Sequence, residues 1–114
     1  MKVINRSRGG DVANNVKVAK GLRERCIGLI GKQRLQPGEG LFIIGCSSIH
    51  TFFMRFPIDV IFLDDHNRIV KLVENLRPYR IFIGPLSARS VLELPLGTIQ
   101  RLGIHIGDEL LFIE

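Results

Sequence analysis

The sequence predicts a mainly β fold in which short strands surround one core, as a small closed barrel or as a sandwich. Two observations predict it. Short apolar runs separated by Gly and Pro occur along the whole 114-residue chain, and only one stretch has the apolar spacing of a helix. Hydrophobic residues make up 46% of the chain and charged residues 24%, which excludes disordered and collagen-like classes. At this length we expect one domain over residues 1–114.

The N-terminus is expected to open with a β-hairpin. Residues 2–6 form the first predicted strand, and the turn signal Arg-Gly-Gly-Asp follows at residues 8–11. Beyond the turn, Val16 and Val18 alternate with polar residues, which is the pattern of a half-buried strand. This alternation predicts that the second strand of the hairpin contains Val16 and Val18.

One amphipathic helix is predicted over about residues 21–31. Its apolar positions are spaced i, i+4, i+7 and i+8, at Leu22, Cys26, Leu29 and Ile30. Gly31 can adopt the left-handed conformation that ends a helix. The Pro and Gly within residues 36–39 then predict a type II turn before the next strand.

Seven further strands are predicted in the rest of the chain, over residues 41–44, 49–54, 58–64, 69–76, 80–83, 91–94 and 110–113. Asn67 tolerates positive φ, so residues 65–68 are expected to form a tight hairpin turn. Pro57 should interrupt strand pairing or mark a bulge. A short helical turn is expected over residues 97–102, before Gly103.

The charge distribution raises nucleic acid as a partner. The formal net charge is +5, and residues 1–34 alone carry nine Lys or Arg against two acidic residues. This basic N-terminal third contains no Phe, Tyr or Trp to stack on bases and no recognisable nucleic-acid motif. The favoured interpretation is a solvated basic face, so specific nucleic-acid binding is not expected.

Membrane spans, export, cofactors and metals are likewise not expected. No apolar run approaches the roughly 20 residues of a membrane helix, and residues 1–6 lack the apolar region of a secretory signal, which predicts a cytoplasmic protein. Cys26 and Cys46 are too few for a disulfide framework and are expected to be reduced, buried thiols. Together with His50 they also fall short of the ligand pairs of a zinc site.

Polar side chains that could support chemistry are concentrated in residues 46–59. Along an extended chain His50 and Arg55 take opposite faces, so one of them is expected to enter a partly buried polar site. Asp59 and Glu93 are candidate partners for it. Glu93 lies in an apolar strand, where a carboxylate is expected to meet an Arg or backbone donors.

Five segments of the chain resemble, in order, the pattern of the bacterial and archaeal family named domain of unknown function 192. They are residues 23–31 (RERCIGLIG), 39–42 (EGLF), 53–62 (FMRFPIDVIF), 91–97 (VLELPLG) and 103–108 (GIHIGD). The resemblance covers about residues 18–113 and implies a compact β-rich fold that carries a helix, with no assigned activity. One departure is Phe53-Met54-Arg55, where the family commonly has Trp-Met-Lys.

The resemblance singles out a set of positions: Arg25, Gly28, Met54, Pro57, Asp59, Glu93, Gly97, Gly107 and Asp108. The glycines and the proline are interpreted as backbone devices, with Gly107 and Asp108 forming the turn into the last strand. For Arg25, Asp59 and Glu93 two interpretations remain open. One is a buried network that fixes the helix against the sheet, and the other is a ligand pocket lined by the same groups.

These observations favour a non-catalytic β domain that binds a small anionic ligand or a partner segment. The expected binding residues are Arg25, His50, Arg55, Asp59 and Glu93. One alternative is a hydrolase-type enzyme that uses His50 with Asp59 or Glu93 for acid-base catalysis. A second alternative is a nucleic-acid or protein adaptor that uses the basic N-terminal third.

Overall fold

The strands form three sheets in a computed structural model that describes residues 1–21, 34–52 and 54–114. In chain order the described elements are β1 (Lys2–Asn5), β2 (Asp11–Ala13), β3 (Asn15–Lys20), β4 (Glu39–Ile44), β5 (Ser48–His50), β6 (Ile58–Leu63), β7 (Ile69–Leu76), β8 (Ile81–Ile83), β9 (Ser90–Pro95), α1 (Thr98–Leu102) and β10 (Leu110–Ile113). The predicted helix over residues 21–31 lies outside the described ranges apart from Gly21.

A five-stranded sheet with the order β3-β4-β9-β6-β7 occupies the middle of the fold. Only β3 and β4 in this sheet are parallel, and the other neighbours are antiparallel. A three-stranded sheet with the order β10-β1-β2 and a two-stranded sheet of β5 and β8 form the outer layers. Residues 21–38 connect the two strands of this parallel pair.

Both faces of the central sheet are covered by apolar side chains. On one face Leu41, Val60 and Val91 belong to a buried cluster that also contains Ile49 of β5 and Phe82 of β8. On the other face a second cluster joins residues of β6 and β9 to β1 and β10, through Ile61, Leu92, Val3 and Leu110. Because both faces are covered, β6 is buried over its whole length and has a continuous apolar sequence.

The layered arrangement confirms the prediction of a mainly β fold. Of the two forms predicted, the sandwich fits, because the described strands form separate sheets and do not close into a barrel. The rings of Phe42 in β4 and Phe112 in β10 stack with centroids 4.2 Å apart and so connect the central sheet to one outer layer. No helix in the described ranges is long and apolar enough to cross a membrane.

Most of the predicted elements agree with the structure. The hairpin between β6 and β7 turns at Asn67, whose φ is 59°. The turn before β4 is also present: the N–H of Glu39 donates to the carbonyl of Gln36 at 3.0 Å, and Gly38 has a φ of 83°. Thr98–Leu102 confirms the short helical turn and ends at Gly103.

The predicted partner of the first strand was wrong. β1 pairs with Asp11–Ala13, whereas Val16 and Val18 lie in β3, in a different sheet. The chain changes sheets because the N–H groups of Asn14 and Asn15 both donate to the carbonyl of Gly38, each at 3.0 Å. Alternation identified the strand, but it does not specify the sheet in which a strand pairs.

The strand predicted over residues 49–54 is also shorter than expected. β5 ends at His50, and Thr51 turns away from strand geometry because its hydroxyl and backbone meet the segment before β8. The N–H of Arg80 donates to the Thr51 hydroxyl at 2.9 Å, and the N–H of Tyr79 donates to the Thr51 carbonyl at 3.0 Å. These bonds fix the chain between β5 and β6.

Candidate functional site

A cleft of about 340 Å³ opens at one end of the central sheet. The antiparallel register brings the start of β4, the start of β6 and the end of β9 together, since Ile58 lies opposite Pro95 and Leu41 lies opposite Glu93. The flanking segments line the cleft with seven residues, which we call the proline cleft: Arg34, Leu35, Pro37, Phe56, Pro57, Pro95 and Leu96.

The lining of the proline cleft is mostly apolar. Three of its residues are prolines, which have no backbone N–H to donate. Leu35 and Phe56 are buried, and among the described residues Arg34 is the one charged residue in the lining. This combination suits an apolar group that carries a negative charge toward Arg34.

A second, more polar cleft shares a wall with the first. It has a volume of about 370 Å³ and also contacts Pro37, Pro95 and Leu96. Its polar lining includes Asp11, Asn14, Thr98 and Arg101. The two clefts therefore meet at Leu96, whose side chain is exposed.

Asp59 is fully buried, and both of its carboxylate oxygens accept backbone hydrogen bonds. Oδ1 accepts from the N–H of Asn75 at 3.1 Å, and Oδ2 accepts from the N–H of Ile99 at 3.0 Å. Asn75 has a φ of 56° at a break in the register between β6 and β7. Ile99 is in the first turn of α1, whose N-cap Gly97 has no side chain to cap it, so Asp59 supplies the cap from a distance.

Glu93 is also fully buried, but it lies on the other face of the central sheet. Its neighbours in register are Leu41 and Val60, which belong to the cluster beneath β5 and β8. Asp59 is in register with Leu94, which belongs to the opposite cluster. Glu93 is not a free carboxylate. The structure therefore separates two of the predicted site residues by the thickness of the sheet.

His50 lies on a third face. It ends β5 opposite Ile81, on the side away from the buried Ile49. Its ring stacks on Phe52 with centroids 5.1 Å apart, and its Nδ1 accepts from the N–H of Phe52 at 3.3 Å. His50, Asp59 and Glu93 thus lie on three separate faces, and the structure does not place them as an acid-base pair.

Of the two arginines predicted to bind a ligand, the structure describes Arg55 and not Arg25. Arg55 is exposed and directly precedes Phe56, so its backbone lies at the edge of the proline cleft. Arg25 lies outside the described residues. Arg34, which the sequence analysis did not single out as a binding residue, is the cation in the cleft lining.

Asp108 forms a polar cluster that the sequence analysis treated only as a turn. Its Oδ2 accepts from Nδ2 of Asn5 at 3.0 Å, from Nε of Arg8 at 2.8 Å and from the N–H of His105 at 3.0 Å. Burial alone raises the pKa of Asp108, but these donors and the Arg8 charge outweigh burial and lower the pKa. The Gly-Asp pair in the family resemblance was the available signal for this position.

Part of the basic N-terminal third is neutralised within the fold. Lys2 pairs with Asp11 at 3.3 Å, and Arg6 pairs with Glu109 at 4.0 Å. Arg8 pairs with Asp108 at 2.8 Å. Each pair reduces the charge available for phosphate groups.

Cys46 is a buried free thiol whose Sγ donates to the carbonyl of Ser48 at 2.6 Å. Cys26, the other predicted thiol, is outside the described residues. Within the described ranges, no group of three or more His, Cys, Asp or Glu side chains is placed to hold a metal ion.

The fold and the proline cleft define a small, mainly β protein with an apolar cleft where strands of the central sheet begin and end. The chain belongs to the DUF192 family, described as an uncharacterized ACR, whose profile matches residues 3–112. A UPF0127 protein of Pyrococcus abyssi is 33% identical over 97% of this chain and 97% of its own length. Another UPF0127 protein, from Thermococcus sibiricus, is 35% identical over 95% of this chain and 72% of its own length.

Two solved structures have the same fold. One is described as a "putative transcription regulator" of Sinorhizobium meliloti. It has a TM-score of 0.82 and 27% identity, covering 96% of this chain and 89% of that protein. The other is a protein of unknown function from Novosphingobium aromaticivorans, with a TM-score of 0.82 and 23% identity, covering 97% and 82% of the two chains.

Proposed function

We propose that residues 1–114 form one non-catalytic binding domain whose proline cleft takes the apolar part of a small anionic ligand. The observation that supports this function is the cleft itself. Its volume of about 340 Å³ lies within the range of small-molecule sites, and the part of its lining that the structure describes is apolar apart from Arg34. Such sites bind an apolar group by burial and use few polar groups for orientation.

The arginines give the site its preference for anions. Arg34 lines the cleft and Arg55 lies beside Phe56 at its edge, so a carboxylate on the ligand meets positive charge. Both side chains are exposed, and exposed ion pairs contribute about 1 kcal/mol or less. Apolar burial therefore supplies most of the affinity, and charge supplies a preference of less than about tenfold. Arg25 remains a proposed third cation.

Asp59 and Glu93 act in this proposal by holding the cleft walls in place. Asp59 fixes β6 two residues after Pro57 and ties it to α1. Glu93 lies two residues before Pro95 in the central strand β9. His50 is part of a separate surface and would contact a partner segment there.

A titration with two amphiphiles of similar chain length and opposite head-group charge tests the proposal. Octanoate and octylammonium are added to ¹⁵N-labelled protein, and amide chemical shifts are followed by NMR. We expect octanoate to shift the amides around Phe56 and Leu96 and to bind more tightly than octylammonium. Shifts confined to other regions, or no shift with either amphiphile, would reject the proline cleft as the site.

Matched variants localise the effect. Leu96→Glu places a carboxylate in the lining and should remove octanoate binding, because it adds like charge and removes apolar surface. Leu86→Glu makes the same change at an exposed residue outside the lining and should leave binding unchanged. Arg34→Gln should leave the alkyl chain bound and reduce the preference for octanoate over octylammonium. Equal effects of the two leucine variants would contradict the proposal.

Nucleic-acid binding is a second candidate, because the Sinorhizobium meliloti protein of the same fold is described as a "putative transcription regulator". The ion pairs of Lys2, Arg6 and Arg8 count against it, since they occupy part of the basic third. Fluorescence titration with mixed-sequence duplex DNA at two salt concentrations decides between the candidates. Affinity that falls steeply with salt would favour this second function.

A further inference from the structure

The outer face of the β5–β8 sheet exposes large apolar side chains. Ile81 and Ile83 are 63% and 77% exposed, and Leu86, in the loop after β8, is 98% exposed. Tyr79 and Phe52 continue the surface, with ring centroids 6.4 Å apart. We call these five residues the β8 face. An apolar group of this size on a small protein commonly marks an interaction site.

One edge of β8 also has main-chain groups directed away from β5. The N–H of Gly84 donates to Ser47 and the N–H of Thr51 donates to Arg80, each at 2.8 Å. In an antiparallel pair these bonds alternate, so the N–H and C=O groups of Ile81 and Ile83 are directed outward. Among the described residues, no strand pairs with this edge.

The surroundings of this edge are positively charged. Residues 75–92 contain three arginines, Arg77, Arg80 and Arg89, and no acidic residue. In the described parts of the chain, no carboxylate pairs with any of the three. A segment that approaches β8 therefore meets apolar side chains, open hydrogen-bonding groups and positive charge together.

We propose that the β8 edge binds an extended acidic segment of a partner protein as an added antiparallel strand. The segment forms main-chain hydrogen bonds to Ile81 and Ile83 and places its apolar residues on the β8 face. Its Asp or Glu residues flank the apolar ones and meet Arg77 and Arg80. Strand addition of this kind draws affinity from main-chain bonds and specificity from alternate side chains. This inference goes beyond the proline cleft and does not depend on it.

Two other occupants fit these features less well. A lipid bilayer would accept the apolar side chains and the arginines, but it would leave the outward N–H and C=O groups of β8 without hydrogen bonds in hydrocarbon. A second copy of the chain would bring two arginine-rich edges together with no carboxylate from residues 75–92 to offset them. An acidic strand satisfies the backbone and the charge at once.

Fluorescence anisotropy with a labelled peptide tests the proposal. The probe has an alternating Val/Thr centre flanked by two Asp-Glu pairs. One control peptide replaces its central residue by proline, and another replaces the acidic residues by lysine. We expect only the acidic peptide without proline to bind, with affinity that decreases as salt is added. Equal binding of the proline control, or no binding of the acidic peptide, would overturn the proposal.

Protein variants separate strand pairing from simple adhesion. Ile83→Pro removes an outward N–H and no bond to β5, and proline is tolerated at such an edge position, so the fold should persist. We expect at least about a fivefold loss of peptide affinity. Arg80→Glu should cause a further loss that added salt diminishes. Leu96→Glu, in the proline cleft, should leave the affinity for the peptide unchanged. Unchanged binding by folded Ile83→Pro would overturn the proposal.

Two further measurements on the same protein test a membrane surface and a second copy of the chain as occupants. Cosedimentation with phosphatidylglycerol vesicles, without peptide binding, would overturn the proposal in favour of a membrane surface. A dimer in sedimentation analysis that Ile83→Pro converts to monomer would overturn it in favour of self-association. Monomeric protein that binds the peptide and not the vesicles supports it.

Discussion

The two outer layers of the sandwich differ in how their charges are partnered. In the β10-β1-β2 layer, three cations pair with carboxylates of the same layer or its loops, at Asp11, Asp108 and Glu109. In the β5-β8 layer, Arg77 and Arg80 have no carboxylate partner among the described residues, and Ile81 and Ile83 of the same layer are exposed. The β10-β1-β2 layer pairs these cations internally, and the β5-β8 layer leaves Arg77 and Arg80 available to a partner.

This difference indicates a division of roles. A layer whose charges are matched internally contributes to stability and offers little to a partner. A layer with exposed apolar residues and unmatched cations gains stability only when something binds to it. Substitutions in the first layer should therefore change the free energy of unfolding, and substitutions in the second should change binding with little effect on unfolding.

The largest effect on stability is expected at Asp108. Asp108→Ala leaves Asn5, Arg8 and the N–H of His105 without their shared acceptor, which should cost about 3 kcal/mol and lower Tm by roughly 10 °C. Urea denaturation measures the loss. Lys2→Ala, which breaks an exposed pair, is the control and should cost about 0.5 kcal/mol or less. Equal losses would show that the cluster is no stronger than a surface ion pair.

Glu93→Gln tests the central sheet between the two layers. Glutamine keeps the shape of the buried side chain and removes its charge, so the loss of polar interactions should cost about 1 to 3 kcal/mol. Thermal melting measures it against Glu74→Gln, an exposed change in β7. If Glu93→Gln melts at or above the wild-type temperature, Glu93 belongs to a ligand site that was maintained at the expense of stability.

Acid should weaken the β10-β1-β2 layer selectively. The pKa of Asp108 is lower in the folded protein than its ordinary value of 3.8, so its contribution is complete above that value and is lost as pH falls through the folded pKa. The free energy of unfolding should therefore decrease as the pH falls from about 3.8 through the folded pKa of Asp108. Asp108→Asn should reduce this decrease. An identical pH dependence in wild type and Asp108→Asn would exclude this origin.

The smallest effect on stability is expected on the β8 face. Ile83→Ser changes an exposed side chain on an edge strand, so the free energy of unfolding should change by no more than about 0.5 kcal/mol. Denaturation of the variant beside Val3→Ala, in the buried part of the opposite layer, gives the contrast directly. A loss comparable to that of Val3→Ala would mean that the β8 face is packed, and the division between the layers would fail.

The sequence predicted the strands well because their signals are local. The hairpin of β6 and β7 follows from two apolar runs and from one residue, Asn67, that tolerates positive φ. The pairing of β1 was harder, because the Asn14–Gly38 bond that directs β3 to another sheet joins residues far apart in sequence. Local patterns specify elements, and distant contacts decide which elements pair.

The candidate site was harder to predict from the sequence than the strand pairing, because more of it is formed by residues far apart in the chain. Asp59 was expected near a ligand, but its partners are backbone N–H groups 16 and 40 residues away. The walls of the proline cleft come from three separate segments, so no single stretch of sequence carried a signal for it. Arg34 was counted only as part of the basic third. The register that places Pro95 opposite Ile58 brings together the cleft walls that Arg34 also lines.

The position of β1 between β2 and β10 has a consequence for synthesis on the ribosome. β1 can pair with β2 as soon as residue 13 is available, but its other edge is filled only by residues 110–113. Until those residues emerge, the nascent chain presents an open edge of β1, the strand that contains the core residue Val3. Such long-range closure slows folding and makes the final strand the step that completes this sheet.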